Sequence, residues 1–300
     1  MKIALVGIGK IAVDQHVPSI AASPDWELAA TVSRSGTVDG VPSYTELETM
    51  LLENPDIEVV SLCLPPVPRF EYAETCLKAG RHVMLEKPPG ATLAECYALD
   101  AMAGDKVLFA TWHSRMAKGV QAGKAALSGK TVESGHIDWK ENVRQWHPGQ
   151  DWVFDAGGMG VLDPGINALS IMTEVLPVPI HLKSAMLHTP ENRQTPIQAE
   201  MVFTGGITAS FDWLKDGTQT WEQRYTATDG TVVQLLDGGN RCVVDGDEVA
   251  GDTLDEYPAL YARMAELVRR GRSDVDLAPM VHVSDIMTLG KRSVAPPFEW

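Results

Sequence analysis

The sequence predicts an α/β protein in two parts: an N-terminal doubly wound parallel sheet over residues 1–118, and a C-terminal α+β domain with a mostly antiparallel sheet over residues 119–300. Three observations predict it. Short apolar runs alternate with helical stretches through about the first hundred residues. The first of these runs ends in a glycine-rich turn, Gly7-Ile8-Gly9-Lys10-Ile11-Ala12. After about Arg115 the alternation gives way to longer strands with period-two character, separated by turns such as Thr204-Gly205-Gly206 and Asp229-Gly230.

In order, Ile3 to Val6 is the first strand, and a helical stretch from about Ile11 is interrupted by Pro18. Glu27 to Val32 is the second strand, and Ser43 with Glu46 reads as a capping box opening a helix through Leu52. Val59 to Leu64 is a continuous apolar run, as expected of a strand covered on both faces. A helix over about Arg69 to Ala79 follows, then a strand at His82 to Leu85. Thr92 with Glu95 caps another helix, and Val107 to Ala110 is one more strand. In the second part, strands are expected at Ser134 to Trp139, Ala199 to Phe203, Thr208 to Trp213 and Thr231 to Leu236. Helices near Val120 to Leu127, Ile166 to Val175 and Tyr257 to Arg270 are expected beside them, the last two covering one face of that sheet.

Composition narrows the function. With 300 residues, 44% of them hydrophobic, the chain can bury two cores without disulfide staples. A net charge of −15 with scattered Lys and Arg argues against nucleic acid as a partner. No apolar run approaches the ~20 residues that span a bilayer, so no membrane partner is expected. Cys63, Cys76, Cys96 and Cys242 form neither a Cys-x-x-Cys pair nor a metal spacing. They read as reduced thiols of a cytoplasmic protein with no metal site.

The turn from Gly7 to Ala12 is G-x-G-x-x-A between a strand and a helix, the Rossmann signature of dinucleotide binding. Gly7 permits the tight turn, Gly9 lets backbone approach a pyrophosphate, and Ala12 keeps helix and strand close. Lys10 and Ile11 open the helix whose N-terminus faces the phosphates. Leu64 and Pro65, Glu86 and Lys87 follow later strands and are expected to border the same cofactor. The second strand ends in Ser33-Arg34 with no carboxylate to hold a 2′-hydroxyl. A hydroxyl beside a guanidinium suits a phosphate, so NADP is expected to be preferred, with NAD usable.

Glu86-Lys87-Pro88-Pro89-Gly90 places Lys87 at the carboxyl end of a parallel strand, where ligands bind in such sheets. The prolines favour an extended Lys87 and leave a cis Lys87–Pro88 bond open. In Asp163-Pro164-Gly165-Ile166-Asn167, Asp163 and Asn167 project together if the turn at Asp163 is helical. The segment from Asp138 to Trp152 mixes polar groups with Trp139, Trp146 and Trp152. Sugar pockets pair aromatic platforms with directed hydrogen bonds, and His113, after Trp112, offers another wall.

These residues carry a resemblance. Gly7 to Ala12 with Glu86-Lys87-Pro88 resembles the Gfo/Idh/MocA oxidoreductases. His16-Val17-Pro18, Asp138-Trp139-Lys140-Glu141, Trp146-His147-Pro148-Gly149-Gln150 and Asp163 to Ser170 resemble the members of that family that act on D-galactose or L-arabinose. The resemblance implies oxidation of an aldopyranose at its anomeric carbon to the lactone, with Lys87, Asp163 and Asn167 lining the catalytic site. It also implies that Glu141 and His147 hold sugar hydroxyls. Lys87 or Asp163 takes the O1 proton, and the reading leans to Asp163. Galactose versus arabinose stays open, as do a dehydrogenase of inositol or of a secondary sugar hydroxyl and a non-catalytic NAD(P)-binding sugar sensor. The broad second sheet could pair with another subunit, so a homo-oligomer is also open.

Overall fold

The computed structural model describes residues 1–300. They form two units, each with its own sheet: Met1–His113 with Asp255–Leu277, and Ser114–Leu254 with Ala278–Trp300.

In the first unit, β1 (Lys2–Val6), β2 (Glu27–Val32), β3 (Ser43–Tyr44), β4 (Val59–Leu62), β5 (His82–Leu85) and β6 (Leu108–Ala110) make one parallel sheet in the order β3-β2-β1-β4-β5-β6. The strand order reverses between β1 and β4, which creates a switch point at their carboxyl ends. Ile3 to Leu5, Val59 and Val60 are completely buried, which explains their unbroken apolar runs. Helices α1 (Val17–Ala22), α2 (Leu47–Glu53), α3 (Pro66–Lys78) and α4 (Leu93–Ala103) connect the strands.

One local reading changes. Ser43 does not cap α2, whose N-cap is Glu46 with no side-chain hydrogen bond. Ser43 pairs instead with Thr31 across β2 and β3, and its hydroxyl accepts from Thr31 Oγ1 at 3.2 Å. Pro18 interrupts the first helix without ending it. Residues Ala12–His16 form a π-helical turn in which Val17 N–H donates to Ala12 O, and α1 continues with Pro18 in its first turn. Proline lacks the N–H and clashes with the carbonyl four residues back, and the widened turn accommodates both. The Thr92–Glu95 capping box is present as read.

The second unit contains α5 (Val120–Leu127), β7 (Val132–Lys140), α6 (Val143–Trp146), α7 (Leu162–Val175), β8 (Leu182–Pro190), β9 (Gln198–Phe203), β10 (Ile207–Asp212), β11 (Thr220–Ala227), β12 (Val232–Leu236), β13 (Arg241–Val244) and β14 (Asp247–Val249). The chain then adds α8 (Glu256–Arg270) to the first unit before returning with α9 (Ala278–Leu289) and β15 (Lys291–Ala295). The second sheet runs β14-β13-β12-β11-β7-β10-β9-β8-β15, antiparallel except where β7 meets β10 and β8 meets β15. Helices α5, α7 and α9 pack beside one another in this unit.

The sequence pattern predicts one boundary at 118, with residues 255–277 in the second domain and α8 over its sheet. The structure assigns that segment to the first unit. Asp274 N–H donates to Leu108 O, Asp274 O accepts from Ala110 N–H, and Trp26 Nε1 donates to Tyr261 O. No helix is long and apolar enough to cross a membrane.

Candidate active site

The glycine turn lies at the carboxyl end of β1. Gly7 has φ +88°, and a Cβ there would meet Leu64 N at 2.7 Å, so only glycine fits. Gly9 is different: an added Cβ would meet nothing within 4 Å. Nothing inside the fold demands glycine at Gly9, which leaves an open cradle before the helix that begins at Lys10. Gly9 O accepts from Val13 N–H at 3.1 Å, while Ala12 is completely buried against the sheet. The turn therefore fits a dinucleotide pyrophosphate. Ile11 is exposed, and Lys10 is exposed and paired with Asp14.

Ser33 Oγ accepts from Gly36 N–H at 3.1 Å and shapes the loop after β2. A Cβ on Gly36 would lie 2.2 Å from Ile8 O, so this loop sits directly against the glycine turn. Arg34, next along, is exposed. Leu64 is buried at the foot of the turn and Pro65 is exposed.

The Lys87–Pro88 peptide bond is cis. Glu86, expected to border the cofactor, also anchors a buried network. It is 5% exposed and turns inward, where Oε1 accepts from Tyr257 OH at 2.7 Å and meets His16 Nε2 at 3.2 Å. Its Oε2 accepts from the backbone N–H of Lys87 at 2.6 Å. His16 Nδ1 is 2.7 Å from Tyr261 OH. Arg69 donates to the carbonyls of Leu64, Glu86 and Pro88, so the backbone on both sides of Lys87 is held.

Burial opposes ionisation of Glu86, but the hydrogen bond and charge of His16, the charge of His113 and the Tyr257 hydroxyl hold its carboxyl well below the usual range. Burial likewise opposes a charged His16, yet Cys63, Tyr261 and Glu86 beside it raise its pKa well above the ordinary value. Both directions favour a carboxylate paired with an imidazolium. Burial pushes the Tyr261 hydroxyl up to about 12. His113, expected as a sugar wall, stacks on Tyr257 at 5.4 Å and pairs through Nδ1 with Glu256. Sequence reasoning missed the parts of this network contributed by α8, because Tyr257 and Glu86 are 171 residues apart. His16 was visible only as part of a resembling string.

In the second unit, α7 begins at Leu162, so Asp163 lies in its first turn and Asn167 one turn beyond on the same face. Asp163 is 5% exposed and Asn167 half-buried. Gly165 lets α7 lie on β10, since a Cβ would fall 2.5 Å from the Phe211 ring. His147 Nε2 is 3.3 Å from Asp163 Oδ2, and its Nδ1 is 3.3 Å from Gln150 Oε1. The same oxygen accepts from Trp152 Nε1 at 3.1 Å.

The oxygens of Glu141 are engaged by tryptophans: Trp213 Nε1 donates to Oε1 at 3.1 Å and Trp221 Nε1 to Oε2 at 2.9 Å. Trp221 stacks on Trp139 at 5.7 Å, and Trp146 leans on Trp221 at 5.6 Å. Trp213 is edge-on to His147 at 5.5 Å. The structure thus brings Asp163 together with His147 and gathers indoles around them. Trp213 and Trp221 lie far along the sequence from Glu141 and gave no local signal. No group of three or more His, Cys, Asp and Glu is placed to hold a metal ion.

Known proteins share this build. Residues 1–111 match the Gfo/Idh/MocA oxidoreductases, described by their NAD-binding Rossmann fold. The chain is 36% identical over 308 aligned positions to galactose 1-dehydrogenase of Pseudomonas fluorescens, covering 97% of this chain and 96% of that protein. A crystal structure of a D-galactose-1-dehydrogenase protein from Rhizobium etli superposes with a TM-score of 0.94 at 49% identity, covering 99% of this chain and 97% of that one. A 3-ketoreductase of Actinomadura kijaniata, solved with TDP-benzene and NADP, superposes at 0.83 with 17% identity over 99% of both chains and shares the fold. With the glycine turn opening a parallel sheet and likeness extending over nearly the full length of relatives, the chain belongs to the Gfo/Idh/MocA family of oxidoreductases.

Proposed function

We propose that the protein is an NAD(P)-dependent aldose 1-dehydrogenase that oxidises D-galactose or L-arabinose at C1 to the lactone. The observation that carries this reading is the chain-long similarity to two galactose 1-dehydrogenases, at 36% and 49% identity. The tryptophan wall and the Asp163–Asn167 face supply what a sugar needs, apolar platforms beside directed polar groups.

Backbone from Gly7 to Ala12 would hold the pyrophosphate. Ser33 and Arg34 would take the 2′-phosphate of NADP, with Leu64 and Pro65 bordering the dinucleotide. A bound nicotinamide would supply the hydride acceptor for C1. Lys87 hydrogen-bonds and orients O1, held in place by Glu86 and Arg69. Asp163 takes the O1 proton, and Asn167 fixes Asp163 or a sugar hydroxyl. Glu141 would hold sugar hydroxyls and also orients the Trp213 and Trp221 indoles. His147 would hold sugar hydroxyls beside Asp163, with Trp146 and Trp152 as platforms, and His113, stacked on Tyr257, is assigned a further sugar contact.

A panel of aldoses and cyclitols with NAD and NADP, followed at the reduced-cofactor absorbance, tests this. Galactose or arabinose is expected to turn over and inositols are not. Lys87→Ala and Asp163→Ala are each expected to lower kcat by more than ~10²-fold. Turnover of cyclitols alone, or near-normal kcat in both variants, overturns the reading.

A further inference from the structure

The stretch from Arg144 to Trp152 has little backbone support of its own. Val143 N–H donates to Trp213 O at 2.9 Å on one side of it. On the other side Val153 O accepts from Gly160 N–H at 2.9 Å and from Thr195 Oγ1 at 3.1 Å. Between these anchors the backbone hydrogen bonds stay inside residues 142–155, in α6 and a short 3-10 turn at Asp151–Phe154. Single turns of this kind do not hold by themselves in water, because each must bear the full cost of nucleation. Yet the stretch carries Trp146, His147 and Trp152, which the proposed function assigns to the sugar.

Support comes from the chain after β15. Phe298 is 3% exposed, its ring is 5.0 Å from that of Phe154, and the Arg144 guanidinium lies 4.5 Å over it. Asn192, in the turn after β8, clamps the Phe298 backbone twice: Oδ1 accepts from Phe298 N–H at 2.9 Å, and Nδ2 donates to Phe298 O at 3.0 Å. The residues beyond Phe298 then grip both ends of the stretch. Arg144 donates to Glu299 O, and Trp300 Nε1 donates to Asp151 Oδ1 at 2.8 Å. Phe154 carries the contact inward: it meets Trp213 at 5.6 Å, and Trp213 meets His147 at 5.5 Å.

We propose that Phe298 is a positioning residue for sugar binding, the centre of a strap over residues 298–300 that holds the 144–152 stretch in place from outside. This rests on the reading above, in which that stretch holds the sugar. Phe298 acts through Arg144 and Phe154, not on the reacting atoms. Contacts from Trp146, His147 and Trp152 to sugar hydroxyls and ring faces are made before and during hydride transfer alike. Loosening them therefore weakens binding and raises KM, and leaves kcat nearly as it was.

The test compares wild type with Phe298→Ala, Phe298→Leu and Asn192→Ala, the last of which releases Phe298 and keeps every ring. Sugar KM is expected to rise about tenfold or more in Phe298→Ala and Asn192→Ala, as a misplaced binding wall requires. Phe298→Leu refills the apolar seat and is expected to recover most of the loss. The cofactor KM is expected to stay within about twofold of wild type, because the glycine turn belongs to the other unit. Amide hydrogen exchange is expected to quicken in residues 144–152 and not in α7. A sugar KM that keeps its wild-type value in both alanine variants overturns the proposal, as does one that rises only in step with the cofactor KM. Unchanged exchange in residues 144–152 overturns it too. Should Phe298→Ala fail to fold, Asn192→Ala decides. Wild type that oxidises no aldose refutes the sugar reading instead, and the exchange rates still decide whether residues 298–300 hold the stretch.

Discussion

Replacing Glu86 by glutamine removes a charge at almost constant volume, and the structure predicts how much follows. Glu86 and His16 are 5% and 1% exposed, so the imidazolium left behind has neither water nor a counter-ion. Removing one partner of a buried pair costs about 3–5 kcal/mol. At ~2–4 °C per kcal/mol for a unit of this size, the melting transition falls by roughly 6–20 °C. The loss depends on pH with a defined sign. The folded pKa of Glu86 is depressed, so its contribution is present above the unfolded value near ~4.3 and is lost as pH falls through the folded one. The folded pKa of His16 is raised, so its contribution is full below ~6.5 and is lost as pH rises through the folded value. The pair is strongest between roughly pH 4.5 and 6.5, and the gap between wild type and Glu86→Gln narrows above that window. Urea unfolding of both proteins at pH 6 and pH 9 measures it. A gap below about 1 kcal/mol at pH 6, or the same gap at both pH values, refutes the ion-pair account.

The glycine turn gives a contrast between neighbours. Gly7→Ala is expected to destabilise by about 2 kcal/mol or more, through positive φ and collision with Leu64, measured by urea unfolding. Gly9→Ala is expected to leave the unfolding curve unchanged and to raise the cofactor KM tenfold or more, because its Cβ enters only open space, where the proposed function puts the pyrophosphate. Arg34→Ala is expected to lower kcat/KM for NADP about tenfold and leave NAD nearly unchanged, as steady-state rates with both cofactors would show. A native thiol titration is expected to count Cys63 first. Cys76 and Cys96, whose thiols burial pushes up to about 12, are expected to react only on unfolding.

Much of the first sheet was legible because strands covered on both faces have to be apolar at every position, as Val59 to Leu62 are. The glycine turn and the Asp163–Asn167 pair were legible because each depends on spacing within a few residues. Ser43 misled because a capping box and an edge strand want the same residue, and pairing with Thr31 won. Pro18 marks an interruption that takes the form of a widened turn, which absorbs a proline that an ordinary helix rejects. Amphipathic periodicity shows that α8 buries one face but not which sheet receives it. The partners of Glu86 on Tyr257 and of Glu141 on Trp213 and Trp221 come from distant strands and helices, and no local pattern announces them.

The recruitment of α8 into the first unit has a consequence during synthesis. A ribosome finishes the six strands of the parallel sheet long before it reaches Tyr257 and Tyr261. Until those tyrosines emerge, the imidazole–carboxylate pair beside the Lys87 turn lacks its hydroxyl partners. The sheet can form early, but the Lys87 turn matures only near the end of translation. A fragment cut near residue 118 would carry every part of the glycine turn and still lack the helix that closes the unit.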